Sequence, residues 1–287
     1  MAERMGGLVR ATVNATPVEF VSTNIKETVE IVQDDGIRGV RSRALERTAQ
    51  GVKKIAGTFV MEPTPVELAL ILPLVCQNST GTTLTDAMQD VTIVVDLGTK
   101  LNTFVGRFTK MNLTGTSGGK KLMMTLQFVG KTLVVASGGS LSGTPDITVR
   151  PYMFYDSASG ITIGGTAYSI DKFDLGIDNK IVPTYMQGQT ATDLEPTDRV
   201  VTLGVQTRYN AAEDALLVLA MAGPVIASPL TASIAFTNGS NSATFTFGAL
   251  VAQSESVVVP GRNALRLPLN YQCYKVGTTL ETVPVLV

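Results

Sequence analysis

Hydrophobic and polar residues alternate along several short stretches of this chain and give way to continuous apolar runs in two others. Leu122, Met124, Leu126 and Phe128 occupy every second position, as do Leu265, Leu267, Leu269 and Tyr271. A period of two puts such residues on one face of a strand, so both stretches are predicted to be strands with one buried face. Residues 91–95 and 104–113 carry the same signal, as do 232–236 and 245–251. Gly98, Gly118-Gly119, Asn238-Gly239 and Pro260-Gly261 stand between these stretches and mark turns of antiparallel strands.

The two apolar runs read as helices. One follows Thr64-Pro65 and carries Glu67 ahead of Leu68, Leu70, Ile71 and Leu72. The other follows Asn210 and carries Asp214 ahead of Leu216, Leu217 and Leu219. Thr and Asn side chains cap free backbone N–H groups, and proline is tolerated at the first helical position. An acid in the first turn faces the positive end of the helix dipole. The rest of each run is almost wholly apolar, which predicts packing against a sheet. Both runs are too short to cross a bilayer.

These elements recur in one order: strand, helix, then three strands, twice over. Gly57 aligns with Gly204 and Leu70 with Leu217 at one constant spacing. A repeat of this kind predicts a duplicated domain, 1–148 and 149–287, joined through the Ser/Gly/Pro-rich residues 137–151 and followed by a new strand signal at Tyr152.

Composition narrows the chemistry. The 287 residues include no histidine, which removes the commonest general base, the commonest metal ligand and every Ser-His or Cys-His mechanism. Net charge is −1, so overall charge gives no argument for holding nucleic acid or an anionic membrane. Charged residues make up 16%, below the roughly 25% of ordinary soluble domains. Such a surface, polar through Thr, Ser, Asn and Gly, suits strands that meet other subunits. Cys76 and Cys273 sit in apolar contexts and are expected to be buried free thiols. The N-terminus shows no signal-peptide stretch, and a cytoplasmic location when made is expected.

In the second half, residues 161–179 (ITIGGTAYSIDKFDLGIDN) resemble a stretch of bacteriophage tail tube (major tail) proteins, in which a strand and turn precede a strand ending in Asn. Tyr185-Met186-Gln187-Gly188, residues 193–201 and the strand-to-helix step at 204–219 are similar to the same family. The resemblance implies a mainly β, β-rich α+β fold: two related sandwich or barrel-like tail-tube domains, each with a flanking helix. It implies a structural virion protein, not an enzyme, with no cofactor and no metal. Rings would stack into a hollow tube through which DNA passes without specific binding. With a duplicated chain, three copies make a ring of pseudo-six-fold symmetry, six copies being the alternative. Other phage tail proteins are the remaining partners. The competing readings are another tubular virion or secretion-system component and a two-domain β-sandwich binding module; a protein of the latter kind stays small in solution.

The most distinctive polar stretch is 34–54, with Asp34, Asp35, Arg38, Arg41, Arg43 and Arg47 followed by Lys53 and Lys54. It reads as a long loop reaching a neighbouring subunit or the next ring, its arginines meeting carboxylates there. A solvated loop is the plainer alternative, and a DNA contact a third, for which interleaved aromatics are missing. Residues 189–199 are its shorter, more acidic counterpart. Residues 115–121 (GTSGGKK) superficially resemble a phosphate loop, but Lys121 replaces the required Ser or Thr and a strand follows, so a hairpin turn is predicted. Asp171, Asp174 and Asp178 lack calcium-loop spacing and are read as exposed strand carboxylates, or as part of a negative lumen.

Overall fold

A computed structural model describes residues 9–33, 48–76, 88–138, 140–209, 214–218, 229–255, 265–275 and 283–286. The fold is mainly β, built on one large antiparallel sheet. Its first run of strands is β1 (Arg10–Val13), β2 (Thr16–Val18), β3 (Ser22–Thr23), β4 (Lys26–Gln33), β5 (Thr48–Met61), β6 (Val91–Asp96), β7 (Lys100–Thr116) and β8 (Met123–Ser137). Helix α1 (Pro65–Cys76) lies between β5 and β6. The second run is β9 (Ile161–Ile163), β10 (Thr166–Tyr168), β11 (Ile170–Asp178), β12 (Ile181–Thr184), β13 (Asp193–Pro196), β14 (Val200–Arg208), β15 (Leu230–Asn238), β16 (Asn241–Glu255), β17 (Arg266–Cys273) and β18 (Val283–Leu286). Residues 214–218, between β14 and β15, are helical.

Pairing order in the first run is β2-β1-β6-β7-β8-β5-β4, and in the second β10-β9-β15-β16-β17-β14-β11. The two orders correspond element by element. Strand β7 joins them. Residues 101–106 of β7 pair with β6, and residues 110–116 pair with β11. The sheet therefore runs without interruption from one run into the other.

Alternation explains the core. Leu122, Met124, Leu126 and Phe128 are buried, as are Leu267, Leu269 and Tyr271. Phe108 meets Phe128 edge-on at 6.0 Å, and Phe173 meets Phe236 at 5.5 Å. Such ring pairs add about 1 kcal/mol beyond the area they bury. Helix α1 opens with a capping box: Thr64 Oγ1 accepts from Glu67 N at 3.3 Å, and Glu67 Oε2 accepts from Thr64 N at 3.0 Å. Glu67 is itself buried and also accepts from Glu19 N at 2.6 Å, tying the helix start to the segment after β2. The helix packs on β7 and reaches β16 of the other run, so one core serves both. Cys76 and Cys273 are buried and free; burial pushes the Cys76 thiol up to about 12, against a smaller opposing pull from Arg199.

Three details depart from the sequence reading. Phe59 of β5 faces Leu126, and Val205 of β14 faces Leu269, which makes Val205 the counterpart of Phe59. Gly57 then corresponds to Leu203, one residue away from Gly204. A one-residue slip exchanges the faces of a strand, and the buried positions set the register where two glycines cannot. Tyr152 is buried but starts no strand. After an isolated bridge at Met153 the chain makes a 3-10 turn over Phe154–Asp156. Asp156 sets that turn, accepting from Met153 N at 2.7 Å and from both terminal nitrogens of Arg150 at 2.8 Å. Lys53 and Lys54 belong to β5, not to a loop, and face Glu27 and Glu30 at 3.8 and 4.0 Å. The residues 115–121 form the β7–β8 hairpin, with Gly118 and Gly119 at φ 97° and 72°.

Candidate functional site

The junction of β7 with β11 is where the two runs meet, and both faces of it are defined. Phe173, Leu175 and Ile177 point into the core. Lys172, Asp174, Gly176 and Asp178 lie on the opposite face. Register continues that face across neighbouring strands. Thr58, Gln127, Lys110 and Asp178 lie side by side, as do Thr125, Asn112, Gly176, Thr202 and Gln272. Thr, Asn and Gln dominate it, and its charges are interleaved. Lys110 stands opposite Asp178, which also meets Lys180 at 3.4 Å.

Asn179, directly after β11, fixes the junction in depth. It is 1% exposed. Its side-chain amide donates to Val75 O at 3.0 Å, satisfying one of the last carbonyls of α1. Its backbone N–H donates to Thr109 O at 2.8 Å, and its Oδ1 accepts from Arg199 Nε at 3.2 Å. One residue, through its backbone and its side chain, thus ties β11, β7, α1 and the start of β14 together. Lys180 follows at φ 44°, a left-handed residue that turns the chain out of β11.

Beyond that turn the β12–β13 hairpin folds back onto the first run. Asp193 meets Lys131 at 3.1 Å and Arg107 at 3.6 Å, and both cations also contact Asp90, at 2.9 and 2.8 Å. Arg107 donates as well to Leu194 O. Partial burial alone would raise the Asp90 carboxyl, but hydrogen bonds from Lys131 and Arg107 reverse this and hold it below its ordinary range. Asp193 is lowered first by the bond from Leu194 N, then by Lys131. Further along, Gln189 O accepts from Lys53 N at 2.7 Å and Gln189 Nε2 donates to Gln50 O at 2.8 Å.

This arrangement, from β1 through the junction to β17, falls within one family match: residues 4–273 fit the family described as phage tail tube protein. The chain belongs to the phage tail tube protein family. It is therefore a structural protein of the virion tail. A search of curated proteins finds no match.

For a tail tube protein the features that matter are edges and faces. The loop candidates Asp34, Asp35, Arg38, Arg41, Arg43 and Arg47 lie outside the described residues. Their counterpart segment, 189–199, does bridge the two runs, through Gln189, Asp193 and Leu194. Asp174 and Asp178 are strand carboxylates but half-buried, not exposed as expected, and Asp171 is buried and held by arginines. Among the described residues no group of three His, Cys, Asp or Glu could hold a metal ion, and no helix is long and apolar enough to cross a membrane. Sequence reasoning quoted Asn179 as a motif position without a role; its burial has no signal in a single sequence.

Proposed function

We propose that this tail tube protein closes into rings of three chains, and that the rings stack into a hollow tube through which DNA is delivered to the host. Each chain supplies two corresponding units, 1–148 and 149–287. The observation that carries this reading is the β7·β11 junction. In the second run, β11 is bonded to β14 on one side and to β7 of the first run on the other. Its first-run counterpart, β3 with β4, is bonded to β5 on one side, and among the described residues no strand covers its other edge. At the far end, the C-terminal part of β16 corresponds to the part of β7 that receives β11. An unpaired edge at one end and its matching acceptor at the other make a head-to-tail contact, which closes into a ring by rotation. The polar face of β5, β8, β7, β11, β14 and β17 then lines the lumen, because α1 occupies the apolar side. Asp34, Asp35, Arg38, Arg41, Arg43 and Arg47 reach across the contact between copies, as residues 189–199 do across the contact within the chain.

Electron microscopy of the purified chain, concentrated at moderate salt, tests the assembly; rings or tubes of uniform width are the expected result. Averaged images with three chains per ring support the count, and six overturn it. Paired cysteines test the contact. Residues directly opposite in an antiparallel pair lie within disulfide reach. Lys110→Cys with Asp178→Cys should close within a chain. The corresponding pair, Thr28→Cys with Ser254→Cys, should link chains into covalent oligomers. A second pair that yields only monomers in material that forms tubes rejects this contact.

A further inference from the structure

On the polar face, at the end of the junction remote from Asn179, two arginines of neighbouring strands stand directly opposite each other: Arg208 of β14 and Arg266 of β17. Like charges in such a pair repel and are disfavoured. Both converge on one carboxylate. Asp171 Oδ2 meets Arg266 NH1 at 2.8 Å and Arg208 Nε at 3.5 Å. The side chains of Arg208 and Arg266 are 73% and 40% exposed, that of Asp171 only 9%. Gln206 Oε1 adds a weaker contact to Arg266 NH1 at 3.4 Å. Asp171 sits at an irregularity: pairing of β11 with β14 shifts between Ile170 and Lys172. The extra residue aims its carboxylate across to β17, and Ser117 N anchors the backbone by donating to Asp171 O at 2.8 Å.

Two guanidinium groups with free donors, presented on a polar sheet face, have the chemistry of a phosphate clamp. We propose that Asp171 is an internal counter-ion that occupies this clamp, so that Arg208 and Arg266 do not bind the phosphates of DNA passing over the face. The DNA part of this inference rests on the tube reading given above; the arginine pair bridged by one carboxylate does not. Repeated in every copy, an unneutralised pair would make a periodic set of phosphate contacts, each adding to a strongly salt-dependent attraction. A conduit must avoid that attraction while staying wetted and polar. One buried carboxylate per chain weakens that attraction while the face stays polar.

The test removes the charge and keeps the shape. Asp171→Asn is measured in two forms, unassembled chain with tripolyphosphate and assembled tubes with a short labelled DNA duplex, both at low salt. The expected result is binding of each probe at least about tenfold tighter than by the unaltered chain, lost on raising the salt. Adding Arg208→Gln and Arg266→Gln should return both to the starting level or below it. Asp171→Ser is the second variant, neutral and smaller, should the Asn form fail to fold. Unchanged affinity for both probes overturns the proposal. Tighter tripolyphosphate binding with no gain in duplex binding by well-formed tubes upholds the counter-ion role and overturns the placement of this face in the lumen.

Discussion

In the first run, β8 is a single strand of 15 residues that lies beside β5 at one end and beside the N-terminal part of β7 throughout the other. In the second run the same lane holds two strands. Strand β17 stops at Cys273, and β18 enters later to pair with residues 243–246 of β16. The hairpins differ as well. Asn14 and Ala15 make the β1–β2 turn with φ of 47° and 66°, and Gly164 and Gly165 make the β9–β10 turn with 58° and 85°. At the bend of the long strand, Gly106 faces Val91, whereas in the second run Phe247 faces Ala232. Large and small have changed sides. What persists between the runs is the order of pairing and the direction of the buried faces. What varies is how each volume is filled and how the chain gets from one strand to the next. Pairing order depends on the polar backbone and tolerates such exchanges; a core needs only the right total volume.

The largest expected effect breaks the exchange at the bend. A Cβ on Gly106 would lie 2.1 Å from Val129 O and 2.5 Å from Gly130 Cα, both backbone atoms that cannot move aside alone. Gly106→Ala should cost about 3 kcal/mol or more, read as a fall in urea midpoint, or leave the chain insoluble. Next is Asn179, present at the internal junction and matched by Val29 in the corresponding strand β4. Asn179→Ala strands a carbonyl of α1 and an edge of Arg199, and should cost about 1–3 kcal/mol in the same measurement. A fall of less than half that would mean water replaces the amide. A smaller effect, in the opposite direction, should follow from making the first hairpin turn like the second. Ala15→Gly relieves a left-handed alanine and should raise stability by about 0.5–1 kcal/mol; an unchanged midpoint would show that the strain is compensated elsewhere. The smallest concerns the β12–β13 hairpin. Asp90 and Asp193 are both lowered in the folded chain, so their support is present above the ordinary carboxylate range, about pH 4, and is lost as pH falls below it. Amide protection at residues 193–195, taken relative to the intrinsic exchange rate at each pH, should fall on acidification before that of β7, and protection that tracks β7 would deny the hairpin a separate opening.

Much of this fold was legible in the sequence because its long strands alternate strictly. Leu122 to Phe128 and Leu267 to Tyr271 are buried where the pattern put them, and Thr64 with Glu67 announced the helix start. Short strands were not legible. Three or four residues, as in β1, β2 and β18, are too few to show a period, and these strands exist because a neighbouring edge was available. The site was harder still. Asp171, Asp174 and Asp178 look equivalent along the chain, yet an irregularity of one residue sends the first toward two arginines almost 40 and more than 90 positions away. Pairings of that range have no local signature.

The β7·β11 junction also sets a schedule. Strand β7 leaves the ribosome well before β11, and at roughly 5–20 residues per second the edge formed by residues 110–116 stays bare for several seconds during synthesis. That edge presents Lys110, Asn112, Thr114 and Thr116 on one side, a composition poorly suited to capturing strands of another nascent chain. Residues that later face across the finished sheet thus serve first as a guard during translation, when crowded polysomes bring identical unfinished edges close together.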